Sequence, residues 1–196
     1  ITPRGARLEH LTAGECTVVD LAGRHREGER RASSELPLHL SVYESTDALA
    51  IVHTHSVYAT AVSAVATELP AVHYACADLG GPLRVAPYAT FGTEELAAGV
   101  MAALDGRTAA LMANHGVVAW SHNNVEDAYF KMEILEAYCR TVLVASQLGK
   151  PVNTMTPAQL QDLLKIKQSL GIPDPRIGLK ECELCDNDEW RPGVTC

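Results

Sequence analysis

Two apolar segments, residues 108–113 and 117–120, face each other across Asn114-His115-Gly116. A link that short turns the chain back alongside itself, because a parallel crossover needs a dozen residues or more. The pair therefore commits the chain to antiparallel pairing and excludes an all-parallel, doubly wound sheet. Other segments read as strands: 15–21, rich in β-branched residues; 48–55 (ALAIVHTH), a buried strand ending in histidines; and 69–74. Residues 24–32 read as a solvated hairpin or loop. Helical spacing follows Ser33-Ser34-Glu35, with Ser at the cap and Pro37 in the first turn, and recurs over 56–66. Thr93 caps a helix with acids in its first turn, running to about residue 104. A long amphipathic helix spans 125–148, and Thr156-Pro157-Ala158-Gln159 is a capping box opening a last helix to about residue 170. Several strands follow one another without a crossover helix, and the helices suffice to cover a sheet. The expected fold is a three-layer α/β/α domain with a mostly antiparallel central sheet.

The chain has 196 residues and a formal net charge of −8. That length encloses one core without disulfide staples. Residues 1–172 are expected to form the domain, and 173–196, rich in Pro, Gly and acids, an extended tail. Ile1–Gly5 reads as a strand end running into a turn, so a further N-terminal segment is expected ahead of it. The acidic balance argues against nucleic acid or an anionic membrane as partner, since both reward basic patches. No run approaches the roughly 18 apolar residues of a membrane span. No secretory pattern opens the chain, and Cys16, Cys76 and Cys139, each alone in an apolar stretch, read as free thiols. A cytoplasmic location is expected. Cys182 and Cys185 have the spacing of half a zinc knuckle, or belong to a solvated acidic surface.

Histidine placement carries the chemistry. His53 and His55 form H-x-H at the end of an apolar strand, and residues two apart on a strand point to one side, roughly 6–7 Å apart along the chain. Alone, such a pair reads either as structural or as two ligands converging on one ion. His115, in a tight turn between apolar strands, is a third candidate ligand, and Glu35 at a helix start could complete a His₃Glu set. With no soft donors in the set, Zn²⁺ is the default ion, with Mn²⁺, Co²⁺ or Fe²⁺ as alternatives. His10, His25 and His122 lie in polar surroundings, and His39 reads as structural. Ser33-Ser34 ahead of a helix is either ordinary capping or, with free N–H groups and the positive end of the dipole, an anion site. Glu35 directly after it favours the second reading: a phosphorylated substrate whose reacting end meets a metal.

Together S-S-E (33–35), H-T-H (53–55), P-A-V-H-Y (70–74), A-P-Y-A-T-F-G-T-E-E-L (86–96) and N-H-G (114–116) resemble the zinc-dependent class II aldolase/adducin-head family. The resemblance runs in order from Ile1 to about Leu148, and A-P-Y-A-T-F-G-T is similar to its fuculose-phosphate aldolase branch. It implies a Zn²⁺ ion held by His53, His55 and His115, with Glu35 as acid/base group and as a ligand when substrate is absent. It implies phosphate binding by Ser33, Ser34 and the backbone at Gly5. It further implies a Tyr74 that reaches a neighbouring subunit's site to serve the aldehyde oxygen, and a C4 homotetramer. The implied reaction is cleavage of a ketose 1-phosphate to dihydroxyacetone phosphate and an aldehyde. Sibling activities on this scaffold are a methylthioribulose-phosphate dehydratase, a sugar-acid phosphate decarboxylase and a ribulose-phosphate 4-epimerase. The epimerases have Asp where this chain has Glu35, though Asp78 lies near their second acid. A non-catalytic adducin-like interaction module would be expected to lack the three histidines.

Overall fold

The computed structural model describes residues 1–172, and the Cys182/Cys185 pair and acidic segment 173–196 fall outside them. Among the described residues a five-stranded sheet has the order β3-β7-β6-β5-β4, built from β3 (Ala50–Thr54), β4 (Glu68–Leu69), β5 (Leu83–Ala86), β6 (Ala109–Met112) and β7 (Gly116–Ser121). Three of its pairings are antiparallel and β5–β6 is parallel, so the sheet is mixed and mostly antiparallel. A separate two-stranded ribbon joins β1 (Val18–Val19) to β2 (His25–Glu27).

The central strands show why helices must lie on both faces. In β6, Ala109 and Leu111 point into one apolar cluster and Ala110 and Met112 into the other; β7 divides Val117 and Ala119 from Val118 in the same way. Both parities are apolar, so neither face can meet water. One face is covered by α1 (Leu36–Ser45) and α3 (Glu94–Leu104), through Leu38, Val42, Leu96 and Val100. The other is covered by α2 (Val57–Ser63) and α4 (Val125–Gln147), with Ala59, Val62, Met132 and Leu135 buried beneath. The last helix, α5 (Pro157–Ser169), starts at the expected capping box and adds Leu160 and Leu164 to this second cluster. Fully burying one such side chain is worth about 1.5–3 kcal/mol, so the two clusters supply most of the driving force.

Three local expectations change. The strand expected over 69–74 ends at Leu69, and a 3-10 helix takes over from Tyr74 to Leu79. The reason is a side chain: the buried Tyr138 hydroxyl donates to the Pro70 carbonyl and accepts from Val72 N–H, while Val72 N–H also reaches Pro70 O. Backbone groups that a ladder would need are already engaged. The segment 15–21 keeps only Val18–Val19 as strand, and β5 carries no clear alternating signal in the sequence yet completes the sheet. The cap of α1 falls on Glu35 rather than on serine, and Glu35 makes no side-chain cap bond.

β6 runs parallel to β5, and both β6 and β3 run antiparallel to β7, so the C-terminal ends of β3, β5 and β6 share one edge. Everything that leaves those ends, His55, Pro87 to Gly92 and His115, is delivered to the same place.

Candidate metal centre and substrate cavity

Strand parity decides where the H-x-H pair points. Ile51 packs into the cluster under α1 and α3, so His53 and His55 share its side, toward the start of α1. Thr54 points the opposite way and donates its hydroxyl to Met132 Sδ at 3.2 Å on the α4 side. His115 arrives from the turn ahead of β7, whose Val117 pairs with Thr54. The three rings form a nearly equilateral triangle, with centroids 5.0, 5.1 and 4.9 Å apart. One nitrogen from each lies within 4.8 Å of the others, a group able to hold a metal ion.

The hydrogen bonds of His53 sharpen this. Its Nδ1 lies 2.9 Å from the Val117 carbonyl, which can only accept, so Nδ1 carries the proton and Nε2 the lone pair. Nε2 is buried with no partner, an orphan that a cation would satisfy. Burial holds the His53 ring down at about 4, which keeps it neutral and ready to ligate. Burial lowers His115 too, and His55 beside it adds to the effect. On this chain's own evidence the donor set fits a divalent ion.

Gly116 makes the triangle close. A Cβ there would sit 2.4 Å from Thr54 O and 3.0 Å from His55 Cδ2, so β3 and the turn can approach only without a side chain. Gly116→Ala is expected to push the strands apart, cost about 1–3 kcal/mol of stability and weaken metal retention at least tenfold or so. Thermal melts and metal content after dialysis check this; a variant with unchanged metal content would show that the close approach is dispensable.

A cavity of about 680 Å³ opens on the three histidines. Its walls include Gly5, Ser33, Ser34 and Glu35 as well as Tyr88, Phe91 and Asn114. Residues 1–6 run beside 31–33, with Ser33 N–H donating to Thr2 O and Arg4 N–H to Arg31 O, which brings the Gly5 turn to Ser33. Ser33 Oγ accepts from Glu35 N–H at 3.1 Å. Glu35 is 8% exposed and its Oε2 is buried without a partner. Burial raises its proton affinity, opposed by the Gly92 amide and by His55.

Seven of the eight residues singled out in the sequence thus meet in one cavity. Tyr74 does not: it lies 63% exposed on the 3-10 turn, stacked on His73 at 4.7 Å, away from the cavity of its own chain. His39, half-buried one turn into α1, lies near His53 and is held down at about 4 by burial. His10, His25 and His122 are exposed. Asp78 is engaged elsewhere, paired with Lys167 of α5 at 3.0 Å. Tyr88 and Phe91 belong to the A-P-Y-A-T-F-G-T motif of the family resemblance, but sequence alone assigns them no role of their own.

The arrangement is a histidine triangle able to hold a metal ion, beside a buried carboxylate and two serines lining the same cavity, and it suits a metal-assisted lyase acting on a phosphorylated substrate. The profile described as class II aldolase and adducin N-terminal domain matches residues 1–143, and the chain belongs to that family. It is 37% identical over 174 residues to L-fuculose phosphate aldolase of Escherichia coli K12, covering 88% of this chain and 80% of the relative. It is 35% identical over 172 residues to 5-deoxy-D-ribulose 1-phosphate aldolase of Bacillus thuringiensis serovar kurstaki, covering 87% and 80%. A solved structure of L-fuculose 1-phosphate aldolase superposes with a TM-score of 0.80 at 34% identity, over 85% of this chain and 78% of that one. The chain is therefore a lyase of the class II aldolase type. No helix among the described residues is long and apolar enough to cross a membrane.

Proposed function

We propose that the protein is a Zn²⁺-dependent aldolase that cleaves a ketose 1-phosphate, of the fuculose 1-phosphate kind, into dihydroxyacetone phosphate and an aldehyde. The observation that carries the reading is the meeting of three metal-competent histidines with a buried carboxylate whose Oε2 has no partner, in a cavity also lined by Ser33, Ser34 and Gly5. His53, His55 and His115 hold the ion, and Glu35 is a fourth ligand when substrate is absent. When bound, the ion supplies Lewis acidity that stabilises negative charge developing on substrate oxygens.

The chain's own groups do the rest. The Ser33 and Ser34 hydroxyls, the N–H groups at the start of α1 and the Gly5 backbone bind the phosphate and fix which carbon faces Glu35. In cleavage Tyr74 of a neighbouring copy takes the proton of the hydroxyl that becomes the aldehyde oxygen, the carbon–carbon bond breaks, and its electron pair stays on the dihydroxyacetone phosphate fragment. Glu35, whose burial favours its protonated form, returns a proton to that fragment's carbon. In synthesis the same carboxylate removes it. In that direction Tyr74, supplied by a neighbouring copy, gives its proton back to the aldehyde oxygen. Its exposure, and the exposed Val125, Tyr129 and Phe130 on α4, suit a homotetramer with sites near subunit contacts. A cytoplasmic location accords with the free Cys76 and Cys139 in the core.

A panel of L-fuculose 1-phosphate, 5-deoxy-D-ribulose 1-phosphate and L-ribulose 5-phosphate, given to metal-reconstituted protein, tests the assignment. Release of dihydroxyacetone phosphate from a 1-phosphate is expected. Epimerisation of the 5-phosphate, with no release from either 1-phosphate, would replace it.

A further inference from the structure

The Ser33–Glu35 loop that carries both the anion pocket and the carboxylate is not shaped by its own sequence alone. Glu35 occupies the cap position of α1 but makes no cap bond with its side chain, so something else must aim the carboxylate. On one side the loop leans on residues 1–6, through Ser33 N–H to Thr2 O. On the other it meets the turn Thr90-Phe91-Gly92-Thr93, closed by Thr93 N–H to Thr90 O at 3.3 Å. Gly92 is the third residue of that turn with φ +74°, the conformation a type II turn requires and other residues resist. A Cβ on Gly92 would lie 2.6 Å from the Ser34 carbonyl oxygen, a backbone atom that cannot swing aside.

The turn is itself rigidly mounted. The Thr93 hydroxyl donates to Thr90 O at 2.7 Å and accepts from Leu96 N–H at 3.2 Å, capping α3. α3 packs against α1 through Leu96 and Val100 on Leu38 and Val42. Turn and loop are thus the leading ends of two helices locked side by side, and a shift at their junction has nowhere to relax.

We propose that Gly92 is a positioning residue for this reaction: its N–H holds the Glu35 carboxylate, and its missing side chain seats the Ser34 carbonyl. One residue then fixes the proton-transfer group and one wall of the phosphate pocket relative to each other. The Gly92 amide donates to the Glu35 carboxylate, whose Oε2 is buried and without a hydrogen-bond partner. The inference rests on the reading of Glu35 as the proton-transfer group and Ser34 as a phosphate contact.

Its test uses the full-length, metal-reconstituted chain with L-fuculose 1-phosphate as substrate. Gly92→Ala is expected to lower kcat roughly 10²-fold, the scale of an ångström-sized misplacement. It is also expected to weaken dihydroxyacetone phosphate binding by about tenfold in calorimetry, with metal content unchanged. In a Glu35→Gln background the same substitution should change kcat by less than about twofold, because the group it aims is gone. Native kcat and native affinity in Gly92→Ala, or an equal loss in both backgrounds, would overturn the proposal. Full kcat in Glu35→Gln alone would instead remove the reading beneath it, a result seen before Gly92 is altered. Should Gly92→Ala lack a cooperative melt, Thr93→Val carries the test. That change should lower kcat with metal retained and Thr93→Ser should restore it, whereas native kcat in Thr93→Val would overturn the proposal.

Discussion

His53→Ala is expected to leave a folded protein that neither retains a metal ion nor turns over. His53 lies on the edge strand β3 in register with Val118, and its ring is fixed by the Val117 carbonyl, so it is the candidate ligand whose geometry is set before any ion binds. Removing it deletes one corner of the triangle and frees the Val117 carbonyl, while the pairing of β3 with β7 remains. The ion's contribution to stabilising charge in the transition state is several kcal/mol, so kcat should fall on the order of 10³-fold or more. Metal content by elemental analysis should drop from one ion per chain toward zero alongside it. Loss of activity with metal fully retained would place the ion elsewhere. His53→Gln separates packing from ligation: it keeps most of the volume and should still fail to hold the ion.

Glu35→Gln is expected to lower kcat by about 10²–10⁴-fold, the range for losing a positioned acid/base group, with KM changed far less. The amide keeps the shape, and the Gly92 N–H can still donate to its oxygen, so the Ser33–Ser34 wall should stand and substrate should still bind. The carboxyl proton is what is lost. Solvent exchange at the carbon of dihydroxyacetone phosphate that Glu35 faces isolates this step, because it needs no aldehyde and no neighbouring tyrosine. Exchange should vanish in the variant. Exchange at the wild-type rate would mean that another group moves the proton, and Glu35 would be left as a ligand alone.

The two effects come from residues whose meeting was legible in the sequence for a simple reason. Period-2 geometry forces His53 and His55 to one side, and the three-residue link at 114–116 forces His115 to a strand end. Which side they face follows only from Ile51 packing beneath α1 and α3, a tertiary fact that no local pattern contains. Tyr138 is the clearest case of such an override: one buried hydroxyl on α4 takes the polar groups of Pro70 and Val72 and turns an expected strand into a loop. The position of Tyr74 changes with it, from a strand face to an exposed turn. β5 is hard to read in the sequence because a four-residue strand between Pro82 and Pro87 offers too little periodicity. Gly116 stands in an evident tight turn and Gly92 only in a motif, and their closeness to Thr54 and Ser34 depends on packing between strands and between helices.

A metal ion held by the histidine triangle is proposed to drive cleavage of a ketose 1-phosphate. The most direct measurement follows dihydroxyacetone phosphate release from L-fuculose 1-phosphate or 5-deoxy-D-ribulose 1-phosphate by the wild-type chain, after chelation and again during titration with Zn²⁺. Release should be absent in the chelated protein and rise linearly to a plateau at one ion per chain. Release that persists undiminished in protein shown to be metal-free would contradict it.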